Sequence, residues 1–294
     1  MQKLKIFQSL WGMEQRHPQK KEPTLEENFK KAKLAGFDGI CIDLSEREIK
    51  DFEYSKELFD EFEMSCMINA FPNSEKEMES FLRMGKLFDA SCINIISGIT
   101  PLNPKNAIPI IRQWIEEAEI ADIKILFETH RDSLLNDLFF TIQLMDLVPE
   151  MRLCADLSHF VIDRELRLPL PDRDQEYINT VLKRSDCFQG RVANREQIQI
   201  QLDFPQHKEW VDQFKKWWRY GLLDWRTRNN QDAELIFLCE LGPPPYAMTD
   251  KNQEELSDRW DEALLIKSWI ETIWKELSRD ISVSYTHLTL PTKA

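Results

Sequence analysis

The chain has 294 residues, 42% of them hydrophobic, enough for one large core or two ordinary ones. Acidic residues number 51 against 38 basic ones, for a net charge of −13. That balance argues against nucleic acid or an anionic membrane as a partner, because neutralising phosphates needs a basic face. No apolar stretch approaches the ~20 residues that cross a bilayer, and Met1-Gln-Lys-Leu-Lys-Ile-Phe7 reads as a strand, not a signal peptide. Cysteines stand at 41, 66, 92, 154, 187 and 239, with no C-x-x-C pair and mostly inside apolar runs. They read as buried free thiols in a reducing cytosol, so a cytoplasmic protein is expected.

Apolar runs alternate with helical patterns along the chain. Strand one spans Leu4 to Leu10 and ends in Trp11-Gly12-Met13. Thr24 is a helix N-cap with Glu26 and Glu27 in the first turn, and Gly36 stops that helix. Strand two is Gly39 to Leu44, with Asp43 at its tip, followed by a Glu- and Lys-rich helix to about Phe62. Strand three is Met64 to Ile68, tipped by Asn69-Ala-Phe-Pro72, and helix three covers Glu75 to Phe88. Strand four is Cys92 to Ile96, and helix four covers Lys105 to Ile120. Lys124 to Phe127 is a buried strand with polar residues crowded at one end, Glu128 through Asp132, and a helix from Leu134 to Met145. Strand six is Met151 to Ala155, tipped by Asp156-Leu-Ser-His159, and its helix is Gln175 to Lys183. Strand seven is Cys187 to Val192, with Gln189 inside it, and an aromatic helix spans His207 to Tyr220. Strand eight is Glu234 to Cys239, tipped by Glu240, and helix eight is Ser257 to Leu277.

Ser282 to Ala294 fits no element and follows a completed helix. Its back-translation resembles a transposon sequencing adapter read in frame. Residues 1–281 are therefore expected to form the domain and 282–294 a non-native tail.

Eight strand–helix units in this length predict an α/β fold, a single (β/α)8 TIM barrel. A doubly wound sheet is the runner-up, but it usually carries a Gly-rich phosphate loop after strand one, and Trp-Gly-Met-Glu-Gln-Arg does not fit. In a barrel the strand tips converge on one face, so Glu128, Asp156, Gln189 and Glu240 should line half of the mouth. Three carboxylates that close resist ionising together. Either a divalent cation with oxygen ligands or the arginines Arg131, Arg191 and Arg195 must neutralise them.

Glu128-Thr-His-Arg131, Ala155-Asp-Leu-Ser-His159, Gly190-Arg-Val192 and Glu240-Leu-Gly-Pro-Pro-Pro-Tyr246 together resemble the xylose isomerase-like barrel superfamily, in particular its sugar (phosphate) isomerase/epimerase branch. The resemblance spans the chain to about Asp280. It implies a divalent metal held by Glu128, Asp156, position 189 and Glu240, with His159 contacting substrate or metal. The family usually has histidine where Gln189 stands. An amide oxygen in place of an imidazole favours Mn²⁺ or Mg²⁺ over Co²⁺ or Zn²⁺.

The chemistry implied is proton transfer through a cis-enediolate. A metal polarises the substrate carbonyl, one of Glu128 and Glu240 removes the adjacent carbon-bound proton, and the other can return it on the far face. His159, His130, Arg131, Arg191 and Arg195 would hold substrate oxygens, and Trp11, Phe71 and Tyr246 would form the apolar wall for a sugar or polyol. Alternatives from other classes stay open: a polyol dehydratase or lyase on the same scaffold, and a sugar-binding barrel with a degenerate site. An endonuclease IV-like enzyme is disfavoured by four histidines before the tail and by the acidic charge. His17 and His207 read as solvated loop or cap residues. Trp210, Phe214, Trp217, Trp218 and Trp225 read as packing on the barrel or, if exposed, as a homodimer surface.

Overall fold

A computed structural model of the chain describes residues 1–45 and 47–288. Eight strands form one closed parallel barrel in sequence order: β1 (Lys3–Ser9), β2 (Gly39–Leu44), β3 (Ser65–Ala70), β4 (Cys92–Ile95), β5 (Ile125–Glu128), β6 (Leu153–Ala155), β7 (Ser185–Gly190) and β8 (Glu234–Cys239). β8 closes on β1 with Phe7 opposite Leu238. The helices are α1 (Leu25–Leu34), α2 (Ile49–Phe52), α3 (Lys56–Glu61), α4 (Met78–Leu87), α5 (Pro104–Ala121), α6 (Leu138–Leu147), α7 (Leu157–Asp163), α8 (Asp172–Leu182), α9 (Lys208–Arg228) and α10 (Arg259–Leu288).

Period-two alternation explains why the strand sequences are apolar almost throughout. Ile40, Ile42, Ile68, Ile93, Phe127, Phe188 and Phe237 face outward and pack under the helices. Between them Phe7, Cys41, Met67, Cys92, Leu126, Cys154, Cys187 and Leu238 point inward and fill the barrel's middle with one apolar layer. All six cysteines are free and buried, and four of them belong to this layer. Small thiols suit the narrow interior as compact apolar fillers.

Local signals set the helix boundaries. Thr24 caps α1 with a capping box: its hydroxyl accepts from Glu27 N at 3.2 Å and Glu27 accepts from Thr24 N at 2.8 Å. The single helix expected up to Phe62 is instead two short ones, α2 and α3, with a 3₁₀ turn over Glu53–Ser55 between them. The helix expected from Leu134 starts later, at Leu138, because Asp137 caps it by accepting from the amides of Phe139 and Phe140 at 2.9 and 3.0 Å. The last helix runs on to Leu288, so its backbone continues into the segment expected to have no helical pattern. Residues 289–294 lie outside the described residues.

The aromatic helix packs inward. In α9, Phe214, Trp217, Trp218 and Trp225 are buried. A β-carbon on Gly221 would stand 2.5 Å from the Phe188 ring, so glycine there lets α9 approach β7 closely. These rings are therefore core, not an exposed dimer surface. His207 is buried and the side chain of His17 is only 8% exposed, so neither is solvated. The His207 ring donates through Nδ1 to the Gln201 carbonyl at 2.8 Å. Among the described residues no helix is long and apolar enough to cross a membrane.

Candidate active site

Two residues beyond the apolar layer, every strand changes character. Phe7, Cys41, Met67, Cys92, Leu126, Cys154, Cys187 and Leu238 are followed at i+2 by Ser9, Asp43, Asn69, Asn94, Glu128, Asp156, Gln189 and Glu240. Strand periodicity carries these side chains to the same interior, one layer nearer the C-terminal mouth. Four of them are the strand-tip residues expected from the sequence. Of the other half of the ring, Asp43 and Asn69 are strand tips in the sequence reading but carry no role there, and Ser9 and Asn94 lie inside strands. The signal was an amide placed two residues after an inward apolar side chain.

The ring is one hydrogen-bonded network. Asn69 Nδ2 donates to Asp43 Oδ1 at 2.9 Å and to Glu240 Oε1 at 3.1 Å. Asn94 Nδ2 donates to Asn69 Oδ1 at 2.9 Å and also to Glu128 Oε2. Gln189 Nε2 donates to the same Glu128 oxygen at 2.6 Å. Asp156 caps the short helix α7, its Oδ1 accepting from Ser158 N at 2.9 Å and Ser158 Oγ at 2.5 Å. That helix, missed in the sequence despite the Asp-Leu-Ser cap, turns His159 back toward the site. His159 Nε2 lies 3.5 Å from Asp156 Oδ2.

Arg191 continues the alternation of β7 by two more residues and enters the ring from above. Its guanidinium is 2% exposed. Nε donates to Asp156 Oδ2 at 3.0 Å and Nη2 to Glu240 Oε2 at 3.1 Å. The Tyr246 and Trp11 rings stand 4.7 and 5.6 Å from its central carbon. Trp11 and Tyr246 meet edge to face, 5.1 Å between centroids. Gly242 makes room for Trp11, because a β-carbon there would lie 2.2 Å from the indole. These two rings, Phe71, His130, Arg191, Glu128 and Glu240 share one cavity of about 400 Å³.

Arg131 stands at the edge of the site. Its guanidinium is 3.5 Å from His159 Nδ1 and 5.5 Å from the Tyr246 ring. Arg195, expected with the substrate-holding group, lies elsewhere. It pairs with Glu165 at 3.0 Å and Glu196 at 2.9 Å in the loop after β7, where the chain has left the barrel. Of the three arginines considered as neutralising groups, Arg191 alone pairs with the carboxylate cluster.

Burial dominates the electrostatics. It pushes Glu240 up to about 8 against the pull of Arg191, and Asp43 up to about 7. Burial, reinforced by Glu240 and Asp156, holds Glu128 well above the ordinary glutamate value. Burial also lowers the imidazoles: His130 falls to about 4, and His159 falls well below its usual range, so both rings are neutral at pH 7.

Oxygens of Glu128, Asp156 and Glu240 lie within 4.8 Å of one another, as do ligand atoms of Glu128, His130 and His159. The Gln189 carbonyl Oε1 is buried with no hydrogen-bond partner. Three convergent carboxylates and an unsatisfied amide oxygen are the donor set of a hard divalent cation, so the residues fit one in kind.

No protein-family profile matches this chain, and no curated protein matches its sequence. Solved structures do share its shape. A xylose isomerase-like TIM barrel protein from Mycobacterium smegmatis, in complex with magnesium, matches with a TM-score of 0.60 at 13% identity, covering 93% of this chain and 97% of that one. An L-ribulose 3-epimerase matches at TM-score 0.61 and 10% identity over 99% of this chain and 100% of its own. A D-allulose 3-epimerase from Methylomonas sp., in complex with D-allulose, matches at TM-score 0.59 and 13% identity over 92% of this chain and 97% of that one. What the chain shares with them is the fold, a closed eight-stranded parallel (β/α)8 barrel.

Proposed function

We propose that the protein is a sugar or polyol isomerase/epimerase that removes a carbon-bound proton and returns it, to the same or the neighbouring carbon, through Glu128 and Glu240. The observation that carries this reading is the pair itself. Two buried glutamates face one cavity, and both are held above the ordinary carboxylate range, Glu240 at about 8. A proton-transfer group works best with its pKa near the operating pH. Burial moves Glu240 to about 8, close to neutrality, and Glu128 in the same direction, as other enzymes tune catalytic carboxyl groups by burial. Two such groups also allow removal and return of the proton by different residues. The shared fold with two ketose 3-epimerases supports the same reading.

The chain's own groups divide the remaining work. Arg191 Nη1 is buried without a partner and is free to donate to a substrate oxygen. The neutral His159 and His130 rings can accept or donate to hydroxyls without adding charge. Trp11, Phe71 and Tyr246 give the apolar wall against which a sugar face packs and excludes water. Glu128, Asp156 and Glu240, with the Gln189 carbonyl, would hold a divalent metal, Mn²⁺ or Mg²⁺ by the hardness of the donors. When bound, the metal supplies Lewis-acid polarisation of the carbonyl.

One observation favours a second reading, a barrel that binds sugar without turnover. Arg191, Asn94 and Gln189 already hold all three carboxylates by hydrogen bonds. A single assay separates the two. The protein is incubated with ketoses, aldoses and polyols in D₂O, with and without Mn²⁺ or Mg²⁺, and carbon-bound deuterium is followed by NMR. Exchange that disappears in Glu240→Gln is expected. Sugar binding with no exchange from any substrate would hand the site to the second reading.

A further inference from the structure

Arg191 is the one group in the ring whose placement conflicts with the metal its neighbours could hold. β7 lies between β6 and β8, and the guanidinium reaches sideways from it to both flanking strand ends. One nitrogen takes Asp156 at 3.0 Å and another takes Glu240 at 3.1 Å. These are two of the three carboxylates whose oxygens gather within 4.8 Å. Arg191 is 2% exposed, Asp156 0% and Glu240 3%.

We propose that Arg191 is the resident counter-cation of this carboxylate cluster and competes with a divalent metal for Asp156 and Glu240. The inference rests on the metal-site reading above and adds the residue that sets the affinity. Metal and guanidinium need the same two carboxylates, and two cations side by side in a buried site repel strongly. Arginine cannot step aside by losing a proton, because its guanidinium stays charged in proteins. Metal binding therefore has to break two charge-assisted hydrogen bonds and move a buried side chain. The Trp11 and Tyr246 rings beside the guanidinium add cation–π attraction that holds it in place. The Gln at position 189 points the same way. Its amide nitrogen donates to Glu128, the third carboxylate of the cluster. With Arg191 in place the cluster is neutralised from within the chain, and native affinity for Mn²⁺ and Co²⁺ is weak.

The test is a calorimetric titration of the chelator-stripped full chain with Mn²⁺, and with Co²⁺ followed by its visible absorption, for wild type, Arg191→Met and Arg191→Lys. Arg191→Met is expected to bind at least about tenfold more tightly than wild type, because neither of the two charge-assisted hydrogen bonds then has to be broken. Its melting temperature should drop without metal and recover with Mn²⁺. Lysine keeps the charge but cannot span both carboxylates, so Arg191→Lys should fall between, about threefold tighter than wild type. It decides the question alone if Arg191→Met does not fold. Variants that bind no more tightly than a metal-binding wild type would overturn the inference and leave the metal site standing. If none of the three proteins binds either metal, the inference and the metal-site reading both fall.

Discussion

The barrel interior holds two adjacent layers with opposite chemistry. The middle layer is apolar, with Phe7, Cys41, Met67, Cys92, Leu126, Cys154, Cys187 and Leu238 packed on one another. The layer above it, two residues further along each strand, holds acids and amides that touch only through hydrogen bonds and one guanidinium. A step of two residues is only ~7 Å along a strand, so the two layers share backbone, neighbours and rigidity. The lesson is a division of labour. The apolar layer contributes stability by burial and packing. The polar ring gives stability up, because buried carboxyl groups are held away from their preferred ionised state. Buried carboxyl groups raised above their ordinary range around a cavity are what makes this ring the candidate site.

Single substitutions should split the layers cleanly. The largest effect is expected from Glu240→Gln or Glu128→Gln. Each should cut carbon-bound deuterium exchange by ~10³-fold, in the range of general acid–base contributions, while the melting temperature holds or rises. A melting temperature that collapses together with the rate would mean that the ring is structural. The complementary change is Leu126→Ala in the middle layer, where the side chain is 0% exposed. It should cost ~2–5 kcal/mol in urea unfolding, through lost transfer free energy and a cavity, with exchange per folded molecule preserved.

The layers should also differ in pH response. Asp43 and Glu240 have folded values of about 7 and about 8, above their ordinary 3.8 and 4.5. Between those limits the folded protein binds protons that the unfolded chain has released. Their stabilisation is therefore full below about pH 4 and is lost as pH rises through 7 to 8. The difference in melting temperature between wild type and Asp43→Asn should shrink or reverse between pH 5 and pH 8, by a few degrees at ~2–4 °C per kcal/mol. A difference that stays constant across that window would contradict the burial argument. Smallest of all is Arg195→Ala. Its ion pairs to Glu165 and Glu196 are at the surface, so stability should stay within ~0.5 kcal/mol and exchange should not change. Loss of exchange in that variant would return Arg195 to the site.

Much of this is legible in the sequence. Glu128, Asp156, Gln189 and Glu240 end apolar runs on successive strands, and a closed parallel barrel brings such ends together. Asn69, a strand tip, and Asn94, inside strand four, obey the same two-residue rule, but as neutral amides they carry no local sign of a site until the interior face of each strand is known. No local signal separates the two arginines of strand seven's exit. Arg191 and Arg195 are four residues apart in one polar stretch, yet one lies over the carboxylates and the other pairs with a surface glutamate.

By itself the sequence determined what depends on local period and composition: the order of strands and helices, and the polar residues that end successive apolar runs. Backbone geometry enforces those over a few residues. Only the tertiary structure decided which partners the polar groups take. It placed the Arg191 fork across Asp156 and Glu240, set the Asn69–Asn94 relay beneath two glutamates, turned the α9 tryptophans inward and brought His159 back on α7. These pairings join residues up to 171 positions apart. They follow from closure of the barrel and the paths of its loops, which no local pattern encodes.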